Sequence, residues 1–145
     1  MRIGIYPGSF NPWHEGHDDI LEKALDIFDI VIIAIGRNSG KDRPKYHIKN
    51  TTEKLNERYD NYVSTGRVMV KSFDGLLVDF VKEMKADGVI RGLRNGHDLQ
   101  YEMNQQYWNE DLGISCRTVY FITDRKLSHI SSSAIRAVGR MKHET

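Results

Sequence analysis

Short apolar runs alternate with segments of helical periodicity along the chain. Residues 2–6, 30–35, 68–70 and 89–90 have the composition of buried strands, and the run at 30–35 is apolar at every position. Parallel strands must be joined by crossover connections, which are usually helices. The alternation therefore predicts an α/β fold with a parallel sheet flanked by helices, in which residues 117–122 supply a fifth strand.

Periodicity also predicts where the helices lie. Thr51 or Thr52 would cap the second helix, whose few apolar residues place it at the edge of the protein. No linker or repeat interrupts the pattern, so residues 1–145 are expected to form one domain. The expected helices span about 18–28 and 51–62, begin at Gly75, span about 97–112, and run from the serines near residue 131 to about Gly139.

The first strand is followed by a loop that contains two glycines and two histidines. Gly8, His14, Gly16 and His17 lie in this loop, which leads directly into the first helical pattern. The start of a helix has unpaired backbone N–H groups and the positive end of the helix dipole, both of which favour bound phosphate. Imidazoles donate hydrogen bonds to phosphate oxygens without adding negative charge. The loop therefore predicts a phosphate site, and a plain turn with solvent-facing histidines is the alternative.

Two more segments have the chemistry of phosphate binding. Arg91, Gly92, Leu93 and Arg94 come directly after the fourth strand, and ligands of open parallel sheets bind at the carboxyl ends of the strands. Arginine holds phosphate with paired hydrogen bonds. Farther along, three serines at 131–133 open the last helix. One serine is enough to cap a helix, so three favour a second anion site there.

A parallel sheet would bring these segments together, with Lys41 after the second strand as a fourth group. A nucleoside triphosphate and a phosphorylated acceptor need such a set, because nucleotidyl transfer builds negative charge on the α-phosphate and on the departing pyrophosphate. The acceptor phosphate is already anionic near neutral pH, so no protein base is required. The lack of an obvious Ser-His-Asp or Cys-His set in the sequence agrees with this chemistry.

Composition argues against other partners and compartments. The 21 basic and 20 acidic residues give a net charge of +1, too little for a surface that neutralises many nucleic-acid phosphates, so we expect no nucleic-acid partner. The apolar run at 30–35 is far shorter than the roughly 20 residues that a membrane span needs, so we expect no membrane contact. Cys116 is the only cysteine, which excludes an intrachain disulfide and a cysteine-based metal site and indicates the cytoplasm.

In their order and spacing, the motifs resemble those of the phosphopantetheine adenylyltransferase family of the nucleotidyltransferase superfamily. The resemblance rests on the Tyr-Pro-Gly-Ser-Phe sequence at 6–10, Arg-Gly-Leu-Arg at 91–94 with the later Tyr-Glu at 101–102, and Ile-Ser-Ser-Ser at 130–133. It implies a Rossmann-like fold of the nucleotidyltransferase type. It also implies transfer of AMP from Mg²⁺-bound ATP to 4′-phosphopantetheine, which gives dephospho-coenzyme A and pyrophosphate, and a homo-oligomer that is typically a hexamer.

The resemblance implies roles for individual residues as well. His17 would stabilise charge on the α-phosphate, and Lys41 and Arg91 would hold the acceptor phosphate, which makes these three the catalytic residues. Leu77 and Asn109 would line the site of the pantetheine arm. The nucleotide would be surrounded by a larger set, with Ser9 shared between both substrates: Ser9, Phe10, Gly16, His17, Gly92, Leu93, Arg94, Glu102, Leu127, Ser128, His129, Ile130, Ser131, Ser132 and Ser133.

Parts of the sequence depart from the pattern of this family. His14 gives the first loop a His-x-Gly-His sequence, which is more typical of nicotinamide mononucleotide adenylyltransferases and of cytidylyltransferases. Ala137 stands where the family commonly has a glutamate near the pantetheine site, and residues 42–65 differ from the expected pattern. An adenylyl- or cytidylyltransferase with another phosphorylated acceptor, such as nicotinamide mononucleotide, is therefore the alternative function. A catalytically weak nucleotide-binding protein is a third, against which the retention of His17, Lys41 and both arginines argues.

Overall fold

Five parallel strands form the single sheet of the computed structural model, which describes residues 1–37 and 45–144. The strand order is β3-β2-β1-β4-β5, and every pair of neighbours is parallel. The predicted α/β fold with a five-stranded parallel sheet is therefore confirmed. The strands are β1 (Ile3–Gly8), β2 (Ile30–Arg37), β3 (Val68–Asp74), β4 (Gly88–Leu93) and β5 (Arg117–Ile122).

Helices connect the strands and follow the last one. Within the described ranges, no helix is both long enough and apolar enough to cross a membrane. A short 3-10 helix, Arg125–Leu127, lies between β5 and the last helix. The α-helices are α1 (Glu15–Leu25), α2 (Lys45–Arg58), α3 (Asp60–Ser64), α4 (Leu77–Met84), α5 (Gly96–Asp111) and α6 (Ser132–Glu144).

The sheet has a buried cluster on each face. Alternate residues of β2 belong to different clusters: Ile33 and Ile35 pack with Leu55 of α2, whereas Ile32 packs with Val81 of α4. This is why the run at 30–35 is apolar throughout, since side chains alternate between the two faces of a strand and both faces are covered here. The two buried layers leave the carboxyl ends of the strands free to form a site.

The second helix differs from its prediction. It begins at Lys45, so Thr51 and Thr52 lie inside it and cap nothing. The Thr52 hydroxyl donates to the Ile48 carbonyl oxygen at 2.7 Å, which lets a threonine occupy the interior of a helix. Ile48 and Leu55 are buried, and so is Tyr59 beyond the helix end, so this segment packs into the core instead of lying at its edge.

Other boundaries also differ from the sequence predictions. The first helix begins at Glu15 instead of about residue 18, so Gly16 and His17, expected in the loop, lie in its first turn. Arg91, Gly92 and Leu93 belong to β4 itself and pair with β5, because the strand continues beyond its apolar part. The last helix continues through Gly139 to Glu144. Gly139 does not have the positive φ that a terminating glycine adopts, so it costs some helix stability without ending the helix.

Candidate active site

A cleft of about 420 Å³ opens at the carboxyl ends of β1 and β4, between which the strand order reverses. Open α/β sheets bind ligands at this position. The loop after β1, the end of β4 and the start of α6 meet here, as the sequence predicted. We call this the histidine cleft; the described residues that line it are Tyr6, Pro7, Gly8, Ser9, Phe10, His14, Gly16, His17, Ile20, Arg91, Gly92, Arg94, Thr123, Ile130, Ser131, Ser132 and Ser133.

A second cavity of about 210 Å³ lies between α5 and strands β4 and β5. Arg91 lines this cavity as well as the histidine cleft, so its side chain forms part of both walls. We call it the α5 cavity; its lining residues are Leu77, Val89, Arg91, Tyr101, Glu102, Gln105, Gln106, Asn109, Thr118 and Tyr120.

The structure distributes the predicted site residues between these two cavities. Leu77, Glu102 and Asn109 line the α5 cavity, and Glu102 therefore lies away from the rest of the predicted nucleotide set. Lys41 falls outside the described residues. Four predicted residues line neither cavity: Leu93, Leu127, Ser128 and His129. The histidine cleft contains the others: Ser9, Phe10, Gly16, His17, Arg91, Gly92, Arg94, Ile130, Ser131, Ser132 and Ser133.

The two loop histidines form a stacked pair at the start of α1. Their ring centroids are 3.8 Å apart with an interplanar angle of 26°. The backbone N–H of Gly16 donates to Nδ1 of His14, and the backbone N–H of His14 donates to Nδ1 of His17, each at 3.0 Å. Because both Nδ1 atoms accept, each neutral ring carries its proton on Nε2. The pair thus offers two uncharged N–H donors at a helix start.

Glycines leave the room that this arrangement needs. A Cβ atom on Gly16 would lie 2.9 Å from Cε1 of His14, and one on Gly8 would lie 2.8 Å from Cζ of Phe10. Phe10 is only 3% exposed and has a φ of 48°, in the left-handed region that is costly for a bulky residue. Because the Phe10 ring is packed, only one edge of it is available for the predicted contact with a ligand. The ring also contacts His17, with ring centroids 5.0 Å apart.

Both histidines are neutral near pH 7. Burial, with smaller contributions from the neighbouring His14 and Arg94, lowers the pKa of His17 from its ordinary value of about 6.5 to about 3, although the nearby Asp18 acts in the opposite direction. Burial and then Arg94 likewise lower the pKa of His14. The two rings therefore need no additional proton to act on a phosphate. Each can donate a hydrogen bond from Nε2–H in its neutral form.

The neutral His17 predicts loss of stability in mild acid. Between about pH 6.5 and the lowered value, the unfolded chain binds a proton at His17 that the folded chain does not, so the free energy of unfolding falls as the pH falls. We expect His17→Gln to reduce this slope by up to about 1.4 kcal/mol per pH unit between about pH 5 and 6.5, where carboxylates stay ionised. Urea denaturation across this range measures it. Equal slopes for the wild type and His17→Gln would contradict a neutral His17.

Arg91 is held by a buried carboxylate. Its Nε and Nη2 donate to the two Glu102 oxygens at 2.9 and 2.7 Å, and Nη1 donates to the Pro7 carbonyl oxygen at 3.2 Å. Glu102 is 6% exposed. Such a paired geometry fixes the plane of the guanidinium, which then presents its remaining N–H groups to a ligand.

The three serines have different partners. Ser131 caps α6, since its Oγ accepts from the backbone N–H of Ala134 at 3.1 Å; Ser131 and Ser132 are the two serines that the sequence offers for this cap. The Ser132 hydroxyl donates to the Pro12 carbonyl oxygen at 2.8 Å, and Oγ of Ser133 accepts from Arg136 at 3.2 Å. Arg136 also donates to the Asn11 carbonyl oxygen. These contacts attach the start of α6, across the cleft, to residues 9–14 between β1 and α1, which we call the histidine loop.

On the other side of the cleft, Arg94 connects two segments of the chain. Its backbone N–H and its Nε donate to Oδ2 of Asp98 at 2.8 and 3.3 Å, and its Nη1 donates to the Ile130 carbonyl oxygen at 3.3 Å. The guanidinium therefore bridges the start of α5 and the segment before α6. Thr123 lines the cleft although it belongs to no motif of the sequence, and Tyr6 and Pro7 line it although their motif carried no predicted contact for them. They lie at strand ends, where only the sheet register brings them beside the loop.

Comparison with known proteins gives matches over nearly the whole chain. Residues 5–138 match the family described as cytidylyltransferase-like. The chain is 42% identical to the phosphopantetheine adenylyltransferase of Clostridium perfringens, with 99% of this chain and 85% of the relative covered. It is also 42% identical to the phosphopantetheine adenylyltransferase of Cytophaga hutchinsonii, with 94% of this chain and 89% of the relative covered.

Solved structures with low sequence identity have a similar fold. A lipopolysaccharide core biosynthesis protein from Thermoplasma volcanium matches with a TM-score of 0.59 at 21% identity, covering 85% of this chain and 98% of that one. A pantoate-beta-alanine ligase from Francisella tularensis matches with a TM-score of 0.61 at 17% identity, covering 93% of this chain and 65% of that one. At these identities the similarity concerns the fold alone.

Proposed function

The chain belongs to the cytidylyltransferase-like family and, within it, to the phosphopantetheine adenylyltransferases, and on that premise we propose that it transfers AMP from ATP to 4′-phosphopantetheine. The products are dephospho-coenzyme A and pyrophosphate, which makes the chain a nucleotidyltransferase of coenzyme A biosynthesis. The premise rests on identity of 42% over almost the full length. The arrangement of the two cavities supports the reaction independently.

The position of Arg91 is the main structural support for the proposal, because this residue lines both cavities. A transferase must hold two substrates so that their reacting phosphates meet, and a shared arginine at the boundary suits a phosphate that belongs to one substrate and attacks the other. We assign ATP to the histidine cleft and the pantetheine arm to the α5 cavity beside Leu77 and Asn109. We assign the acceptor phosphate to Arg91 and to Lys41.

The reaction is an in-line displacement. An oxygen of the acceptor phosphate attacks the α-phosphorus of ATP, a new P–O bond forms there, and the bond to the bridging oxygen breaks as pyrophosphate leaves with its electron pair. Negative charge builds on the α-phosphate oxygens and on the leaving group. The Nε2–H of His17 is a neutral donor already fixed by its Nδ1 hydrogen bond, so it stabilises this charge without reorganising.

The remaining residues position the nucleotide. Ser9 and the ring edge of Phe10 lie beside both phosphates, Gly16 keeps the helix start open, and Arg94 holds the pyrophosphate part together with Ser131–Ser133 and the backbone near Ile130. A Cβ atom on Gly92 would lie 2.9 Å from Cγ1 of Ile20, so this glycine lets β4 pack closely against α1 beside the nucleotide. Glu102, placed with the nucleotide by the sequence, acts here by holding Arg91, with which it shares two hydrogen bonds. Leu93 and Leu127 contact the lining of the cleft through their backbone carbonyl oxygens, which accept from the N–H groups of Thr123 and Ile130 at 2.9 and 3.0 Å.

Magnesium enters as part of the ATP substrate. Mg²⁺ prefers oxygen ligands, keeps several waters and is usually held by substrate phosphates with few protein groups. The described lining of the cleft contains hydroxyl groups but no carboxylate, so the phosphates of ATP and water would supply most ligands of the ion. In the described ranges, no three histidine, cysteine, aspartate or glutamate side chains form a group that could hold a metal by themselves. The triphosphate would therefore carry the ion.

We further propose that the protein works as a homo-oligomer in the cytoplasm, with the hexamer as the expected form. The helix α5 supports this, because it exposes large apolar side chains that a single chain leaves in contact with water. Tyr101, Tyr107 and Trp108 are more than half exposed, at 59%, 53% and 64%. A cluster of this kind commonly marks a contact between proteins.

Pyrophosphate release tests the proposed function. The protein is incubated with Mg²⁺-ATP and either 4′-phosphopantetheine, nicotinamide mononucleotide or no acceptor, and CTP replaces ATP in a parallel series. We expect release only with ATP and 4′-phosphopantetheine together. Release that requires nicotinamide mononucleotide, or that prefers CTP, would move the chain to the alternative function suggested by His14. Binding of ATP without any release would favour the nucleotide-binding protein.

A further inference from the structure

Asp18, the residue after His17, lies at the centre of a hydrogen-bond network that joins three elements. Its carboxylate accepts from the indole Nε1 of Trp13 at 2.7 Å, from Nε of Arg58 at 2.9 Å, and from the Tyr59 hydroxyl. Trp13 belongs to the histidine loop, and Arg58 and Tyr59 lie at the end of α2. The network therefore fixes the loop to α1 and to α2 at the same point.

The carboxylate remains charged in this environment. Partial burial opposes its ionisation, but the hydrogen bonds from Arg58, Trp13 and Tyr59 outweigh that effect and hold the pKa of Asp18 below its ordinary value. Hydrogen bonds to an ionised acceptor are shorter and roughly twice as strong as neutral ones. All three donors consequently stay engaged near neutral pH.

Trp13 is the member of the network that touches His17. Their ring centroids are 5.0 Å apart at an interplanar angle of 40°, and Trp13 also packs against Phe10 at 4.9 Å and Tyr59 at 5.9 Å. His17 is thus packed among aromatic rings and stacked on His14. Since Nδ1 of His17 accepts from a backbone N–H, it cannot donate to a carboxylate, and Asp18 must act on the ring through packing.

We propose that Asp18 is a positioning residue for nucleotidyl transfer: through the indole of Trp13, it holds the His17 ring in the orientation that directs Nε2–H at the α-phosphate. The proposal rests on the proposed function, which assigns His17 its donor role. A misplacement of about 1 Å in a reacting geometry can lower a rate by about 10²-fold, so the anchoring of one aromatic ring has a measurable effect. The connection to Arg58 and Tyr59 makes α2 part of the same support.

A double-mutant cycle tests whether Asp18 acts through Trp13. Trp13→Phe keeps an aromatic face beside His17 but removes the Nε1–H, and Asp18→Ala removes the acceptor. We expect each change to lower kcat by about tenfold or more while the KM for ATP stays within about threefold, and the double variant to be no worse than the single ones. Asp18→Asn, which keeps the side-chain size and one acceptor oxygen, should retain more turnover than Asp18→Ala and serves if the alanine variant does not fold.

Glu22→Gln is the matched control. Glu22 lies one turn farther along α1, and its carboxylate accepts from the Tyr62 hydroxyl at 3.4 Å without touching the histidine loop. This variant removes a carboxylate from the same helix and should keep wild-type turnover. A kcat loss in Glu22→Gln as large as in Asp18→Ala would mean that any damage to this side of α1 lowers the rate, and would overturn the specific role of Asp18.

The ring nitrogen signals of His17 in NMR spectra supply a readout that needs no catalysis. In the wild-type protein we expect the Nε2–H tautomer, and in Asp18→Ala we expect shifted or broadened His17 signals that Glu22→Gln does not show. Should the wild type release no pyrophosphate with any acceptor, the proposed function would fail, and the NMR spectra would still decide whether Asp18 positions His17. Additive losses in the cycle, or unchanged His17 signals in Asp18→Ala, would overturn the positioning role.

Discussion

His17→Ala should lower kcat on the order of 10²–10³-fold, because it removes a fixed hydrogen-bond donor from the place where charge develops in the transition state. The KM for ATP should change much less, since most contacts to the nucleotide come from other elements. Steady-state pyrophosphate release, with 4′-phosphopantetheine saturating, measures both constants. His17→Gln should recover part of the rate, because its amide N–H can occupy nearly the position of Nε2–H.

The matched control is His97→Ala, at an exposed histidine near the start of α5 that lines neither cavity. It should leave kcat and KM unchanged. If His17→Ala instead raised the KM for ATP by the same factor by which it lowered kcat/KM, with kcat preserved, His17 would bind the ground state and the transition state equally. That result would keep His17 in the cleft but contradict its selective stabilisation of the charge that develops in the transition state.

Much of the fold could be predicted because the pattern of burial is local. The strand at 117–122 was predicted with the bounds that β5 has, and the uniformly apolar run of β2 followed from burial on both faces. The start of α2 could not be predicted in the same way. Thr51 and Thr52 are good caps by residue type, and only the contact of Thr52 with Ile48 and the burial of Leu55 place them inside the helix.

The same distinction applies to the site: contacts that follow from local sequence and sheet topology could be predicted, and contacts between distant segments could not. The histidine loop, Arg91 and the serines were predicted to meet, because parallel strands end at one edge of the sheet. The motif places Glu102 with the nucleotide, which stays a prediction, but it does not indicate the ion pair of Glu102 with Arg91. That contact depends on how α5 lies against β4. The hydrogen bond between Asp18 and Tyr59 joins residues 41 positions apart, and no pattern in the sequence predicts it.

Arg91→Ala should have the largest combined effect on stability and on use of the acceptor. The change leaves the Glu102 carboxylate, which is 6% exposed, without its partner, and breaking such a pair costs about 3–5 kcal/mol of the free energy of unfolding. It also removes the guanidinium from the acceptor phosphate, and the loss of a charged hydrogen bond of about 1.5–3 kcal/mol should raise the KM for 4′-phosphopantetheine by about 10- to 100-fold. Urea denaturation and acceptor titration measure the two effects, and Arg117→Ala, at an exposed arginine of β5, should cause neither.

The double variant Arg91→Met with Glu102→Leu separates these two consequences. It removes both charges and fills their space with apolar groups, an exchange that is often neutral or stabilising for a buried ion pair. We therefore expect the double variant to regain most of the lost stability while its KM for 4′-phosphopantetheine stays as high as in Arg91→Ala. If stability and acceptor use returned together, the poor acceptor binding of the single variant would be a result of local unfolding, and the acceptor phosphate would have to be held elsewhere. If only stability returned, the guanidinium itself is the acceptor's partner, and Glu102 serves to hold it at the boundary between the two cavities.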